Sequence, residues 1–206
     1  MRISAPGALA WSRPCRLALG ASEQQQASRA PKDAMRREGS ALLKRITFAC
    51  VALIWLALDQ AVKIALLSHE VADVLYESHL GILDVIIVHN TGGAWGMFSD
   101  STLALGVLSL LVCAAILAYA LICAKRLPWL SCIGLALVFA GGVGNAIDRF
   151  CHGYVLDFLS VAFMDFPVFN IADIGVTVGI ALFLVSLFMS AKEVGDGQSG
   201  EPRGDA

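Results

Sequence analysis

Long apolar stretches separated by short polar segments are the main feature of the chain. Each stretch is close to the ~20 residues that a helix needs to cross ~30 Å of hydrocarbon. They cover residues 46–67, 103–124, 128–147 and 169–191. The second contains no charged residue, and the others carry only isolated polar side chains. The pattern therefore predicts four transmembrane helices.

Composition points the same way. Hydrophobic residues make up 57% of the chain and charged residues 16%, whereas soluble domains contain about 45–50% apolar residues. The sequence therefore predicts an all-α polytopic membrane protein, for which no nucleic-acid partner is expected.

Lysine and arginine residues indicate how the helices are oriented, because cytoplasmic flanks of transmembrane helices retain them. Here the flanking cations lie on one side of the apolar stretches: Lys44, Arg45, Lys125, Arg126 and Lys192. The loops on the opposite side, 68–101 and 148–168, contain no lysine or arginine except Arg149. We therefore expect both termini to be cytoplasmic and these two loops to be extracytoplasmic.

The ends of the chain differ in composition from the expected membrane domain, residues 44–191. Residues 1–43 are rich in arginine and small or polar residues, a composition that cannot build a core. We predict a disordered cytoplasmic extension. There are two alternatives: a transit peptide, or a start codon placed too early, with Met35 as the true first residue. Residues 192–206 are predicted to form a disordered cytoplasmic tail.

The loop at 68–101 is too long for a simple connection. Its segment 83–89 is rich in β-branched residues, which favours an extended strand. Gly92, Gly93 and Gly96 follow and permit a tight turn. We therefore predict a small extracytoplasmic β-structure between the first and second helices, with Asn90 projecting from it.

Asp157 and Asp173 flank the start of the last apolar stretch. A carboxylate at membrane depth costs roughly 2.5–3.5 kcal/mol and is read by default as functional. Both acids are expected at the outer interface, where two carboxylates sharing a site could hold one proton and act as base and acid together. The spacing also allows a helix cap by Asp173 and a loop turn at Asp157.

Two further polar groups lie near the ends of the predicted helices. Asp59 and Lys63 are four residues apart on one helix face, an order that favours an ion pair. We interpret them as structural support, with catalysis by Asp59 as the alternative. Asn145, Asp148 and Arg149 share a face if the third helix persists to that point. A solvated helix end at Asp148 and Arg149 is the other interpretation.

Four polar blocks occupy these positions: DQAVK at 59–63, HNTGGAWG at 89–96, GNAIDR at 144–149 with GYVLDF at 153–158, and FNIAD at 169–173. In order and spacing they resemble the motifs of the lipoprotein signal peptidases, also called signal peptidase II. The resemblance covers roughly residues 44–191. Any single block is a weak signal, whereas four in order on a four-span chain are specific.

The resemblance implies an aspartic endopeptidase of the bacterial plasma (inner) membrane, with its active site near the outer leaflet. Such enzymes remove signal peptides from prolipoproteins, cutting just before the diacylglyceryl-modified cysteine. Asp157 and Asp173 match the catalytic pair. Six residues match family positions that shape or support the site: Asn90, Gly92, Asn145, Asp148, Arg149 and Asn170. Asp59 and Lys63 match a supporting pair. The resemblance implies no metal, no cofactor and no covalent intermediate, and a monomer whose partners are substrate and membrane lipid.

Two departures from the family pattern are visible. Trp95 stands where the family commonly has Phe, and Ile174-Gly175-Val176 replaces a more usual Ser-Ala-Ile. Two other classes of membrane protein fit the sequence less well. A transporter or channel would need a repeated half or a charge at the bilayer centre. A magnesium-dependent prenyl-phosphate transferase would need several basic residues for phosphate, and the outer loops offer only Arg149.

Overall fold

A computed structural model describes residues 13–77, 81–92 and 101–198. Within these ranges helices and strands follow in this order: α1 (Arg13–Leu66), β1 (Val74–Tyr76), β2 (Leu83–Asn90), α2 (Thr102–Ile122), α3 (Trp129–His152), β3 (Val155–Val161) and α4 (Ile171–Gln198). The chain divides into two units, Met1–Ala41 and Leu42–Ala206. The sheet and the cavity described below lie in the second unit.

Four helices of the described part are long and apolar enough to cross a membrane. They are Glu38–Leu66, Thr102–Ile122, Trp129–His152 and Ile171–Lys192. Their outward faces carry large exposed apolar side chains, such as Leu111, Ile122 and Phe188, which suit contact with lipid rather than water. The prediction of four transmembrane helices is therefore confirmed, with bounds that differ by a few residues.

α3 is the central helix of this bundle. In its most apolar window 61% of the residues are buried, against 17% in each of the other three helices. Glycines allow the close approach: a Cβ built at Gly134 would lie 2.6 Å from the carbonyl oxygen of Gly179, and one at Gly141 would collide with that of Ala172. Small residues at such contacts let two backbones pack against each other. α4 is therefore held tightly along α3.

The three described strands form one antiparallel sheet in the order β1-β2-β3. Gly153, with φ of +80°, ends α3 and donates its N–H to the carbonyl of Arg149, a common way for a glycine to terminate a helix. The chain then enters β3, which pairs with β2 from Leu83↔Val161 to Asn90↔Val155. The predicted fold class, four membrane helices with a small β-structure, is confirmed.

The position of Asp157 corrects one detail of that prediction. The sequence was read as a loop around this residue, whereas the structure has it in β3, whose first four residues are buried. The physical reason is the pairing with β2, a segment far away in sequence. A loop turn at Asp157 is therefore excluded.

The ends of the chain also differ from expectation. α1 begins at Arg13 and α4 continues to Gln198, although disorder was predicted for residues 1–43 and 192–206. Alanine, glutamine, glutamate and arginine are good helix formers, and they are frequent in the N-terminal segment. The remaining parts of these predictions, residues 1–12 and 199–206, lie outside the described residues.

Candidate active site

A cavity of about 860 Å³ opens at the end of the bundle where the sheet meets α3 and α4. Its polar lining comes from Asn90, Asn145, Arg149, Asp157 and Asp173. The rest of the wall is mostly apolar and includes residues 166–169 and the first turns of α4. A concave apolar site with a few convergent polar groups is the usual form of a ligand-binding pocket.

Asp157 reaches this cavity from β3. The register pairs it with Val88, so Asn90, two residues further along β2, is its diagonal neighbour on the same face. The Asn90 side chain donates from Nδ2 to Asp157 Oδ2 over 2.9 Å. Asp157 is only 2% exposed. The sheet therefore fixes the direction of this carboxylate.

Asp173 reaches the cavity from the first turn of α4. Asn170 lies just before the helix, and its Oδ1 accepts from the backbone N–H of Asp173 at 3.0 Å. In return Asp173 Oδ2 accepts from the backbone N–H of Asn170 at 3.1 Å. This reciprocal pair is a capping box. Asp173 therefore belongs to the helix cap, which is one of the interpretations that the sequence allows. Its other oxygen, Oδ1, accepts from Asn145 Nδ2 at 2.8 Å.

The Asn170 side chain connects the two acids. Its Nδ2 donates to Asp157 Oδ1 over 2.7 Å while its Oδ1 holds the backbone of Asp173. The same amide nitrogen lies 3.0 Å from Asn145 Oδ1. Both oxygens of each carboxylate therefore accept hydrogen bonds, and the two carboxylates are held in one network.

Burial raises the pKa of Asp157 to about 7. Loss of hydration is the largest cause, and the charge of Asp173 acts in the same direction, whereas the hydrogen bonds from Asn90 and Asn170 oppose it. Asp157 therefore exchanges its proton near neutral pH. That property suits a group that must both accept and donate protons.

A second cluster of charges lies next to the site. Lys63 Nζ is 3.0 Å from Asp59 Oδ2 and 2.8 Å from Asp148 Oδ2, and all three side chains are buried. Asp59 Oδ1 accepts from the backbone N–H of Ala172 at 2.9 Å. Asp148 Oδ2 accepts from that of Leu156 at 3.3 Å. The cluster thus ties α1 to α3, α4 and β3.

This arrangement decides between two earlier interpretations. Asp148 is 2% exposed and paired with Lys63, so a solvated helix end at that position is excluded. The i, i+4 pair of Asp59 and Lys63 is present, and neither side chain lines the cavity. The geometry agrees with structural support.

Arg149 joins the last turns of α3 to the loop after β2. Its Nη2 donates to the carbonyl of Gly92 at 3.2 Å, and its Nη1 to that of Asn145 at 3.3 Å. The backbone N–H of Gly92 in turn donates to Asn90 Oδ1 at 3.0 Å. Arg149 therefore holds the chain that follows Asn90 against the cavity. The predicted turn glycines Gly93 and Gly96, and Trp95, lie outside the described residues.

Three residues near the site were not singled out from the sequence: Gln60, His89 and Tyr154. Gln60 donates to Asp59 Oδ2 at 3.1 Å and lies 3.3 Å from Asp148 Oδ1. Its position inside the DQAVK block was the available signal. His89 stacks on Tyr154 with ring centroids 3.7 Å apart and lines the cavity. Partial burial, and then the nearby His152, lower the pKa of His89.

Comparison with known proteins gives a consistent result. The family model described as Signal peptidase (SPase) II matches residues 51–189. A lipoprotein signal peptidase of Lactobacillus gasseri is 35% identical over 151 residues, which are 73% of this chain and 97% of that protein. One from Clostridium acetobutylicum is 44% identical over 108 residues, 50% of this chain and 70% of that protein.

A solved structure is similar as well. It is a bacterial membrane enzyme determined by the in meso method at 2.3 Å resolution, with a TM-score of 0.63 and 26% sequence identity. The match covers 78% of this chain and 94% of that one. The likeness therefore extends over the bundle and the sheet.

Four membrane-spanning helices and a small sheet around a carboxylate-lined cavity define a multi-pass membrane protein, and its relatives are bacterial. The chain belongs to the signal peptidase II family. It is a protease of the aspartic type that removes signal peptides from prolipoproteins.

Proposed function

We propose that Asp157 and Asp173 are the catalytic pair, and that the enzyme cuts just before a diacylglyceryl-modified cysteine. The observation that carries this proposal is that both carboxylates line one cavity and are connected through the amide of Asn170. Aspartic proteases need two carboxylates that share a proton. The pKa of Asp157, raised to about 7, supports a shared proton at neutral pH.

In the proposed reaction the ionised member of the pair takes a proton from a water, and the water oxygen attacks the scissile carbonyl carbon. The protonated member donates to the carbonyl oxygen, which gives a tetrahedral diol. The carbon–nitrogen bond then breaks, and the leaving amine, which becomes the α-amino group of the cysteine, takes a proton from the pair. No covalent intermediate forms and no metal is required.

The surrounding amides would keep the pair ready for this cycle. Asn90 and Asn170 donate to Asp157, and Asn145 donates to Asp173. Such donors stabilise an ionised carboxylate, and they offset part of the cost of burying it. Arg149 and Gly92 would act one step further out by fixing the chain beside Asn90.

We infer that the site faces the outer leaflet and that both termini are cytoplasmic. The sorting of lysine and arginine supports this orientation. Arg45 donates to the carbonyl of Leu121 at 2.9 Å, at the end of α2 that leads to Lys125 and Arg126. A signal peptide crossing the bilayer presents its cleavage site at that outer interface. We propose that the enzyme acts as a monomer, with prolipoprotein and lipid as partners and without nucleic acid.

The test is cleavage by the purified full chain in detergent, with a diacylglyceryl-modified prolipoprotein as substrate. Parent, Asp157→Asn, Asp173→Asn and the control Asp165→Asn are compared, with and without chelator. Asp165 is exposed and lies in the segment between β3 and α4. We expect both site variants to lose at least about 10³-fold in kcat, the scale of acid–base catalysis, while the parent and Asp165→Asn keep their activity in chelator.

Mass spectrometry of the products gives the position of the cut. Cleavage that persists in either site variant would contradict the catalytic pair. Cleavage of the unmodified prolipoprotein at an equal rate, or at a bond other than the one before the cysteine, would contradict the proposed substrate. Loss of parent activity in chelator would contradict a metal-free reaction.

A further inference from the structure

The end of the bundle opposite the proposed active site contains a buried cation. α3 has 24 residues and is therefore about 35 Å long at ~1.5 Å per residue. Arg149, near its last turn, lines the cavity, whereas Lys44 of α1 contacts its first turn. The backbone carbonyl of Lys44 accepts from Cys132 Sγ at 3.2 Å. Lys44 Nζ lies 5.7 Å from the ring centroid of Trp129, so the ammonium group sits against the start of α3.

This ammonium group has no anionic partner among the described residues. Lys44 is only 9% exposed, and within the described ranges its Nζ makes neither a salt bridge nor a hydrogen bond; it contacts the face of Trp129. Lys63, the other buried lysine, has two carboxylates. A buried charge is costly unless it is paired, and one aromatic ring offsets only part of that cost. We therefore expect an anion from outside the protein at Lys44.

The start of α3 provides further donors for an anion. The first N–H groups of a helix have no acceptor within the helix, and here they belong to Trp129, Leu130 and Ser131. Pro128 occupies the N-cap position and makes no side-chain hydrogen bond to them, and the first turn contains no acidic residue. The first bond within α3 is from the N–H of Cys132 to the carbonyl of Pro128, at 3.0 Å. Such a helix start attracts anions through its N–H groups and its dipole.

The surroundings of Lys44 favour an anion that is carried by a lipid. Leu43 and Ile46, beside Lys44 on α1, and Trp129 on α3 expose large apolar surfaces. Tryptophan is enriched where the headgroups of a bilayer begin. Arg126, three residues before Trp129, is exposed and adds a second cation. A soluble anion would leave the apolar side chains uncovered, whereas a phospholipid covers them with acyl chains while its phosphate meets the cations.

From these observations we propose that the start of α3 binds the phosphate of one anionic phospholipid. Lys44 Nζ and the first N–H groups of α3 hold the phosphate, and Arg126 lies at the rim of the site. In the orientation proposed above this lipid belongs to the cytoplasmic leaflet, whose anionic headgroups attract lysine and arginine. The site goes beyond the peptidase function and uses none of the residues proposed for catalysis.

The first test measures lipid binding by native mass spectrometry of the purified full chain in detergent. Phosphatidylglycerol and phosphatidylcholine are titrated into the parent, Lys44→Met, Lys44→Arg and the control Lys192→Met, which removes an exposed cation from the same side in the proposed orientation. We expect the parent to bind one phosphatidylglycerol in preference to phosphatidylcholine. In Lys44→Met the dissociation constant should rise at least about fivefold, the scale of one lysine at an anionic lipid surface. Lys44→Arg should keep most of the affinity, and Lys192→Met all of it.

Three outcomes of this titration would overturn the proposal. Equal losses in Lys44→Met and Lys192→Met would show a general attraction of positive charge rather than a site. Equal binding of the two lipids by the parent would exclude a preference for an anionic headgroup. Displacement of phosphatidylglycerol by millimolar inorganic phosphate would assign the site to a soluble anion.

The second test locates the lipid and leaves Lys44 in place. Parent and Trp129→Phe are placed in phosphatidylcholine nanodiscs, and the difference between their emission spectra gives the fluorescence of Trp129. A small fraction of phosphatidylglycerol brominated near the glycerol should quench this fluorescence more than the same fraction of brominated phosphatidylcholine. Equal quenching would contradict the proposal.

Circular dichroism of every variant shows whether its helices have formed. If Lys44→Met loses its helical signal, Lys44→Arg and the quenching experiment decide the result. Neither experiment measures cleavage, so a failure of the proposed function and a failure of the lipid site are observed separately.

Discussion

Two pairs of aspartates lie next to each other in this molecule and have different hydrogen-bond and ion-pair partners. Asp59 and Asp148 share Lys63, with distances of 3.0 and 2.8 Å. Asp157 and Asp173 receive hydrogen bonds from the amides of Asn90, Asn145 and Asn170. In the described ranges neither has a salt bridge to a cationic side chain.

The difference shows how one residue type can serve stability or chemistry. A carboxylate paired with a buried lysine holds neighbouring helices together through the ion pair. A carboxylate that receives only neutral amide donors can gain and lose a proton near neutral pH, as the raised pKa of Asp157 indicates. The protein therefore pairs Lys63 with Asp59 and Asp148 and surrounds Asp157 with neutral amide donors.

The strongest test of this contrast removes the shared cation. Lys63→Met leaves two buried carboxylates without their partner, and breaking a buried pair in this way costs about 3–5 kcal/mol. We expect a large fall in the midpoint of thermal unfolding in detergent. Lys192→Met, at the exposed end of the fourth membrane-spanning segment, is the control and should have little effect. Adding Asp148→Asn to Lys63→Met should recover part of the lost thermal stability. An unchanged unfolding midpoint in Lys63→Met would show that the cluster is not structural.

Asp157→Asn should have the opposite effect on stability while it removes activity. The folded-state pKa of Asp157 is raised from 3.8 to about 7, so the folded protein binds this proton more tightly than the unfolded chain does. Stability is therefore lost as pH rises from about 4 to 7. The neutral amide avoids that loss, and Asp157→Asn should be more stable than the parent by on the order of 2 kcal/mol at pH 8.

The gain from Asp157→Asn should become small as the pH approaches 4, because the carboxyl of the unfolded chain also begins to bind a proton there. Unfolding midpoints of parent and variant across pH 4–8 measure this. Asp148→Asn, which removes a partner of Lys63, should destabilise at pH 8. If both substitutions shifted the unfolding midpoint in the same direction at pH 8, the proposed difference between the two pairs of aspartates would be wrong.

Asn90→Ala sharpens the comparison at the level of a single hydrogen bond. Parent activity should decline as pH rises through about 7, because the pair loses its shared proton. Asn90 donates to Asp157 and lowers its pKa, so removal of the amide raises that pKa. The declining limb of the kcat profile should move up by about one pH unit, since a hydrogen bond to a charged group is worth roughly 1.5–3 kcal/mol. Tyr76→Phe, exposed on β1, should leave the profile in place, and a downward shift in Asn90→Ala would contradict the assignment.

The smallest expected effect concerns the contact of α1 with α4 beside these clusters. Trp55 Nε1 donates to the carbonyl of Ile171 at 3.1 Å, and a Cβ at Gly175 would collide with the indole. Trp55→Phe should cost about 1 kcal/mol, the value of one hydrogen bond. Gly175→Ala alone should cost more. Because the smaller ring relieves the collision, the double variant should cost less than the sum of the two. Strict additivity of the unfolding free energies would show that the two positions are independent.

Features that depend on neighbouring residues in the sequence could be predicted. The lengths of the apolar stretches gave the four helices, and the spacing of Asp59 and Lys63 gave their ion pair, because both follow from the geometry of one helix. The resemblance of the sequence blocks to a family supplied the site residues. It named these residues without describing how they contact one another.

Features that depend on distant segments could not be predicted. Asp148 joins Lys63 across two helices, although its spacing placed it with Asn145 and Arg149. β3 was missed because a short apolar run can belong to a strand, a loop or a buried helix segment, and periodicity alone does not separate these cases. Its pairing with β2 decides the matter, and that pairing is invisible in local sequence.

Leu159 and Phe169 form an isolated bridge in which each backbone N–H donates to the carbonyl of the other, at 2.8 and 2.9 Å. This bridge closes the chain between the two proposed catalytic residues, and the loop from the end of β3 at Val161 back to Phe169 lies on the far side of it. The spacing of Asp157 and Asp173 is then set on the inner side of the closure. A change in the length of that loop would therefore alter the cavity wall at residues 166–168 and leave the register of Asp157 with β2 unchanged.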